Sequence, residues 1–279
     1  MNRHRSIAAL TPLPLLIGLS TLVTPAQGQT PQFTVTDLGA LNQPGGGLGW
    51  QKIEGSVDNT LPSLGGTPVT NEVYTRYPFV SVGDSRVLTA PGDAEIFHAA
   101  LWRSSGGTVT VTDLGLLPGA GGEPDGVGPF SVALGVNTVG DVVGYSATQY
   151  STYHPGYPYY ATHAFLWNQG TMQDLGTLAD NSYGSTAEAV NDSHEVVGHS
   201  QALSSADGTV LTRAFLYANG TMYNLSFFLV NAPTIRLTDA TAINCQGNIS
   251  AVGYDTTVGT DHPHSYLLIR QGSARNCPP

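Results

Sequence analysis

The chain has 279 residues, 10 basic against 20 acidic, a formal net charge of −10 and one lysine, Lys52. Phosphate backbones and anionic bilayers are held by clustered Lys and Arg, so nucleic acid and anionic lipid are excluded as principal partners. Charged residues reach only 11% against 34 Gly and 18 Pro, which disfavours a helical protein, while 41% hydrophobic residues exclude a disordered one.

Residues 1–28 read as a secretory signal. Arg3 and Arg5 form a positive end, an apolar stretch follows from about Ile7 to Val23, and Ala26-Gln27-Gly28 offers small residues for cleavage. Removing them deletes two arginines and no acid, so the mature chain stands at −12. An uncleaved anchor is the alternative. No later segment is apolar for long enough to cross a bilayer, so no membrane span is expected in the mature chain. The expected location is secreted or periplasmic.

Residues 29–279 read as one repeat domain. A lone run, Phe33-Thr-Val-Thr-Asp37-Leu38-Gly39, precedes repeats at about 40–115, 116–178, 179–229 and 230–270. Each repeat holds four short β-rich runs, a to d. Run a ends in Val-Asn or Ile-Asn (Asn137, Asn191, Asn244), and run b carries the glycines Gly83, Gly144, Gly198 and Gly253. Run c is His98-Ala-Ala-Leu-Trp102, His163-Ala-Phe-Leu-Trp167, Arg213-Ala-Phe-Leu-Tyr217 and His264-Ser-Tyr-Leu-Leu268. Run d is Asp113-Leu-Gly, Asp174-Leu-Gly and the altered Asn224-Leu-Ser, and the fourth repeat has none. Spacings such as Asn168-Gln-Gly-Thr171 and Ala218-Asn-Gly-Thr221 predict tight c–d hairpins. The fold class expected is all-β, a β-propeller of about four four-stranded antiparallel blades. The lone run at 33–39 would supply the missing d strand and close the ring. An open, solenoid-like stack of sheets is the alternative.

The string His163-Ala-Phe-Leu-Trp167 … Asp174-Leu-Gly176 … Val190-Asn191 … Val196-Val-Gly198 resembles the HAF repeat, named for its His-Ala-Phe. The resemblance covers about residues 33–270 and is strongest over 130–225. It implies an exported repeat protein and carries no established activity.

Candidate chemistry is sparse. Gly198-His199-Ser200 imitates a hydrolase elbow but lacks a following helical pattern, so Ser200 is expected at a strand end or facing water, and no catalytic residue is assigned. The strand-c histidines are expected to hydrogen-bond within their own units, and Asp37, Asp113 and Asp174 to accept backbone N–H groups at turns. Asp261-His262-Pro-His264 is too nonspecific for a metal site, so no metal and no cofactor are expected. Cys245 and Cys277 are expected to form one disulfide. In an antiparallel unit the a–b and c–d turns share one side, and the b–c and d–a loops share the other. The long insertions, 41–49, 116–130 and 145–160, all fall on the second side. Tyr150, Tyr153, Tyr157, Tyr159 and Tyr160 are the ligand-binding candidates there, suited to an extracellular glycan or protein. The expected function is a non-catalytic binding or structural module. The alternative is a secreted propeller-type enzyme acting on polysaccharide, using carboxylates such as Glu123 and Asp125.

Overall fold

The computed structural model describes residues 30–40, 56–57, 71–76, 80–87, 96–120, 129–148, 162–178, 182–203, 209–260 and 262–272. The signal segment, the five tyrosines, Glu123, Asp125, Asp261 and Cys277 lie outside these residues.

Strand β1 (Phe33–Ala40) comes first. The first unit follows as β2 (Ser56–Val57), β3 (Asn71–Arg76), β4 (Val80–Val87), β5 (Ile96–Ser105) and β6 (Thr108–Gly115). The second is β7 (Ser131–Val136), β8 (Val142–Ala147), β9 (Thr162–Asn168) and β10 (Thr171–Asp174). The third is β11 (Ser182–Val190), β12 (Val196–Leu203), β13 (Val210–Ala218) and β14 (Thr221–Asn224), ending in a short 3-10 turn at Leu225–Phe228. The fourth is β15 (Ile235–Ile243), β16 (Ile249–Asp255) and β17 (His264–Arg270). Each unit is an antiparallel meander, and β1 pairs antiparallel with β17, from Phe33 opposite Arg270 to Ala40 opposite His264. The expected strand exchange is therefore present. It covers a sheet edge that would otherwise display unpaired backbone groups.

The c–d hairpins take the geometry their residues demand. Both central residues have positive φ in Gly106-Gly107, Gln169-Gly170 and Asn219-Gly220, as a type I′ turn requires. The glycine of run b has a different cause. Gly83, Gly144, Gly198 and Gly253 each face the last residue before a β-bulge in run a, namely Val73, Ala133, Ala187 and Leu237. The bulge drives a carbonyl toward the partner strand. A Cβ at Gly144, Gly198 or Gly253 would lie 1.9, 2.0 or 2.2 Å from the carbonyl oxygen of Val132, Thr186 or Arg236. Only glycine fits beside this bulge.

Packing between units is apolar and sequential. One cluster joins the first and second units through Val82, Leu101, Ala133, Phe165 and Trp167. A second joins the second and third through Val143, Leu166, Val196 and Phe215. A third joins the third and fourth through Leu216, Leu237, Ile249, Leu268 and the exchanged Phe33. Among the described residues no cluster spans the first and fourth units, and none of the sheets closes on itself. The closed ring expected from the sequence is not established, although the strand exchange that motivated it is present. The physical reason is that pairing β1 on β17 heals the fourth sheet's edge whether or not that sheet meets the first.

Polar rungs tie the units on the a–b side. Asn137 accepts from the N–H groups of Gly140 and Asp141 through its side-chain oxygen, capping its own turn. Its amide donates to the Asn191 carbonyl of the next unit at 3.1 Å. Asn191 repeats the pattern and donates to the Asn244 carbonyl at 3.1 Å. Buried Glu195 accepts from the Asn191 amide at 2.9 Å and pairs with Arg270 of the fourth unit at 2.6 Å. The recurring asparagine thus serves its own turn and its neighbour.

Candidate functional site

The strand-c histidines meet the run-d aspartates. His98 Nδ1 lies 2.9 Å from Asp113, His163 Nδ1 lies 2.9 Å from Asp174, and His264 Nδ1 lies 2.6 Å from Asp37 on the exchanged strand. Asp113 and Asp174 also accept the N–H of the glycine two residues on, at 2.8 and 2.7 Å. Burial pushes these two carboxyls up, but the histidine hydrogen bond and the glycine N–H outweigh it and hold both below the ordinary carboxylate value. In the third unit the sequence has Arg213 and Asn224 instead, and Asn224 keeps only the turn bond, to Ser226 N at 3.1 Å. Histidine and acid are present or absent together. The pairs are local ties, as expected for the strand-c histidines.

Ser200 is buried. Its hydroxyl donates to the Gly184 carbonyl and accepts from Leu178 N, both at 3.2 Å. Its equivalent Ser146 is likewise buried and accepts from Leu117 N at 3.0 Å. Of the two settings expected, a strand end or open water, neither is found: the hydroxyl bonds to backbone from within β12. This serine stitches a strand to the preceding d–a connection and has no nucleophilic setting.

A different group stands out where the third unit meets the fourth. Glu188 is the bulged residue of β11, His199 follows the run-b glycine on β12, and Asp239 follows the bulge of β15. His199 Nδ1 lies 3.2 Å from Asp239 Oδ1 and 3.9 Å from Glu188 Oε1. One ligand atom from each of the three falls within 4.8 Å of the other two. The Glu188 side chain is only 7% exposed, against 23% for His199 and 32% for Asp239. His199 and Asp239 line a cleft of about 430 Å3, completed by Val210, Leu211, Thr212, Thr238 and Tyr254.

The repeat shows how unusual this trio is. Counted from the bulge and the glycine, the corresponding positions where the second unit meets the third are Leu134, Tyr145 and Ala189. Two of these three are hydrocarbon and the third is a phenol. β-Bulges commonly re-aim a side chain at a functional site. Sequence reasoning noticed His199 only as part of an elbow and missed Glu188 and Asp239. The available signal was two acids and an imidazole standing where the preceding junction has Leu134, Tyr145 and Ala189.

No protein-family model matches the chain, and no curated protein or solved structure matches it. Among the described residues no helix is long and apolar enough to cross a membrane.

Proposed function

We propose that the chain is an exported, non-catalytic repeat protein of HAF type, built as an open row of four repeat units, that binds an extracellular glycan or protein at the cleft between the third and fourth of them. The cleft carries this reading, because there two acids and an imidazole stand where the preceding junction has Leu134, Tyr145 and Ala189. It is lined by Val210–Thr212, at the start of β13, and therefore lies toward the b–c loops. That is also the side of the b–c connection between β8 and β9, whose sequence carries the five tyrosines.

The place of the fourth unit at one end of the row is supported by its burial. β16 alternates buried and half-buried residues from Ile249 to Gly253, whereas β7 of the second unit is buried at every position and β4 of the first is buried from Ser81 to Ser85. A strand sandwiched between two neighbours reads as continuous apolar sequence, and one at the end of a stack alternates. Cys245 lies in the a–b turn of the fourth unit, no free thiol occurs among the described residues, and the second cysteine is Cys277. A Cys245–Cys277 bridge would fasten the tail there. Two free thiols found by mass spectrometry in secreted protein would refute it.

Glycan arrays and pull-downs with the secreted protein test the binding reading. Thr212→Trp fills the cleft without altering the polar trio and is expected to lower binding at least tenfold. Unchanged binding in this variant, with loss in a variant carrying Tyr→Ala at 150, 153, 157, 159 and 160, would move the site to the loop and overturn the cleft. N-terminal sequencing of the secreted protein should begin at Gln29.

A further inference from the structure

We infer that Glu188, His199 and Asp239 form a binding site for one divalent transition-metal ion of the zinc class, with an open coordination position facing the cleft. The inference rests on the cleft reading above but needs no organic ligand. An imidazole with two carboxylates is a ligand set suited to zinc, and a hard cation such as calcium would ask for six or more oxygens.

Metal–ligand bonds of about 2.0–2.1 Å place tetrahedral ligands about 3.3 Å apart. The His199–Asp239 separation of 3.2 Å already meets that spacing, and the His199–Glu188 separation of 3.9 Å needs a closure of about half an ångström. The ligands also come from three strands in two units, which the apolar cluster around Leu216, Leu237 and Ala251 holds in place. Glu188 is nearly enclosed, while His199 and Asp239 reach the cleft. Three protein ligands beside accessible space match a site that keeps its fourth position for water or a ligand group. Without an ion, His199 and Asp239 share one hydrogen bond, and metal uptake at Nδ1 displaces that proton. No comparable trio occurs elsewhere among the described residues. His98, His163 and His264 each have one carboxylate partner.

The test uses the full secreted chain, stripped with a chelator and titrated with zinc chloride by calorimetry. One equivalent should bind, and Glu188→Gln, His199→Ala and Asp239→Asn should each weaken binding at least tenfold. His163→Ala, in a pair of the second unit, should leave it unchanged. Cobalt(II) on the wild-type protein gives a readout that needs no variant. An intense visible band of a four- or five-coordinate ion is expected, and the weak band of the aqueous ion would overturn the site. Absence of uptake, or equal uptake by His199→Ala with loss in His163→Ala, would also overturn it. Metal failure with Thr212→Trp still blocking glycan or protein binding would leave the cleft reading intact.

Discussion

The junction between the second and third units and the junction between the third and fourth are built from the same bulge, the same glycine and the same asparagine rung. Beside that bulge and glycine, three equivalent positions hold Leu134, Tyr145 and Ala189 in one and Glu188, His199 and Asp239 in the other. A repeat must keep what joins neighbours and is free to vary what it does not need for joining. Enclosing the Glu188 carboxylate and half-burying His199 and Asp239 costs desolvation that the less polar set avoids. The third junction therefore carries groups that stacking does not require.

The largest expected effect tests what the two junctions share. Gly144→Ala and Gly198→Ala each drive a Cβ into a backbone carbonyl, and each should lower stability by about 3–5 kcal/mol, the range of severe steric defects. Thermal denaturation should show similar losses for the two. A mild effect in either would break the equivalence of the bulges. Next, Arg270→Ala strips Glu195 of its cation while leaving the carboxylate buried. A loss of about 2–4 kcal/mol is expected in urea titrations, since removing one partner of a buried pair strands the other.

A smaller effect separates the junctions. The triple variant Glu188→Leu, His199→Tyr and Asp239→Ala gives the third junction the residues of the second. It should change stability by no more than about 1 kcal/mol, in the stabilising direction, as replacing buried ionic groups by packed apolar ones often does. Zinc uptake should vanish with it. A large loss of stability would show that the trio exists to hold the units together.

The smallest effect concerns acid. Asp113 and Asp174 have lowered folded pKa values, so their contribution is present above the unfolded value of about 3.8. It is lost as the pH falls below that value and through the folded one. Asp113→Asn and Asp174→Asn should flatten the acid limb of the stability curve below about pH 4, with little effect at pH 7, because these exposed pairs are worth under about 1 kcal/mol. An unchanged acid limb would remove the pairs from the account.

Much of the scaffold was legible in the residues. Asn-Gly and Gln-Gly located the hairpins, the missing fourth d run matched the spare one at Phe33, and Arg213 with Asn224 departed together. Other features needed three dimensions. Adding a strand to a sheet and bringing two sheets together leave the same sequence trace, so the spare strand could not distinguish a ring from a row. The trio was hidden by spacing. The fourth unit has two extra residues in run b and a second bulge between Ala240 and Ala242. Counting back from its asparagine sets Ala242 against Ala189, and only the strand register puts Asp239 in that place.

The pairing of β1 with β17 has a mechanical consequence. Phe33 faces Arg270 and the strands run in opposite directions, so a pull applied outward at these two residues loads one rung at a time from the same end. Such a clamp peels open at low force, as a zipper does, whereas sliding the strands along their length would strain every rung at once. Tethered by its two ends in an optical trap, the protein should first release this strand in a small, reversible step, with the four repeat units still folded.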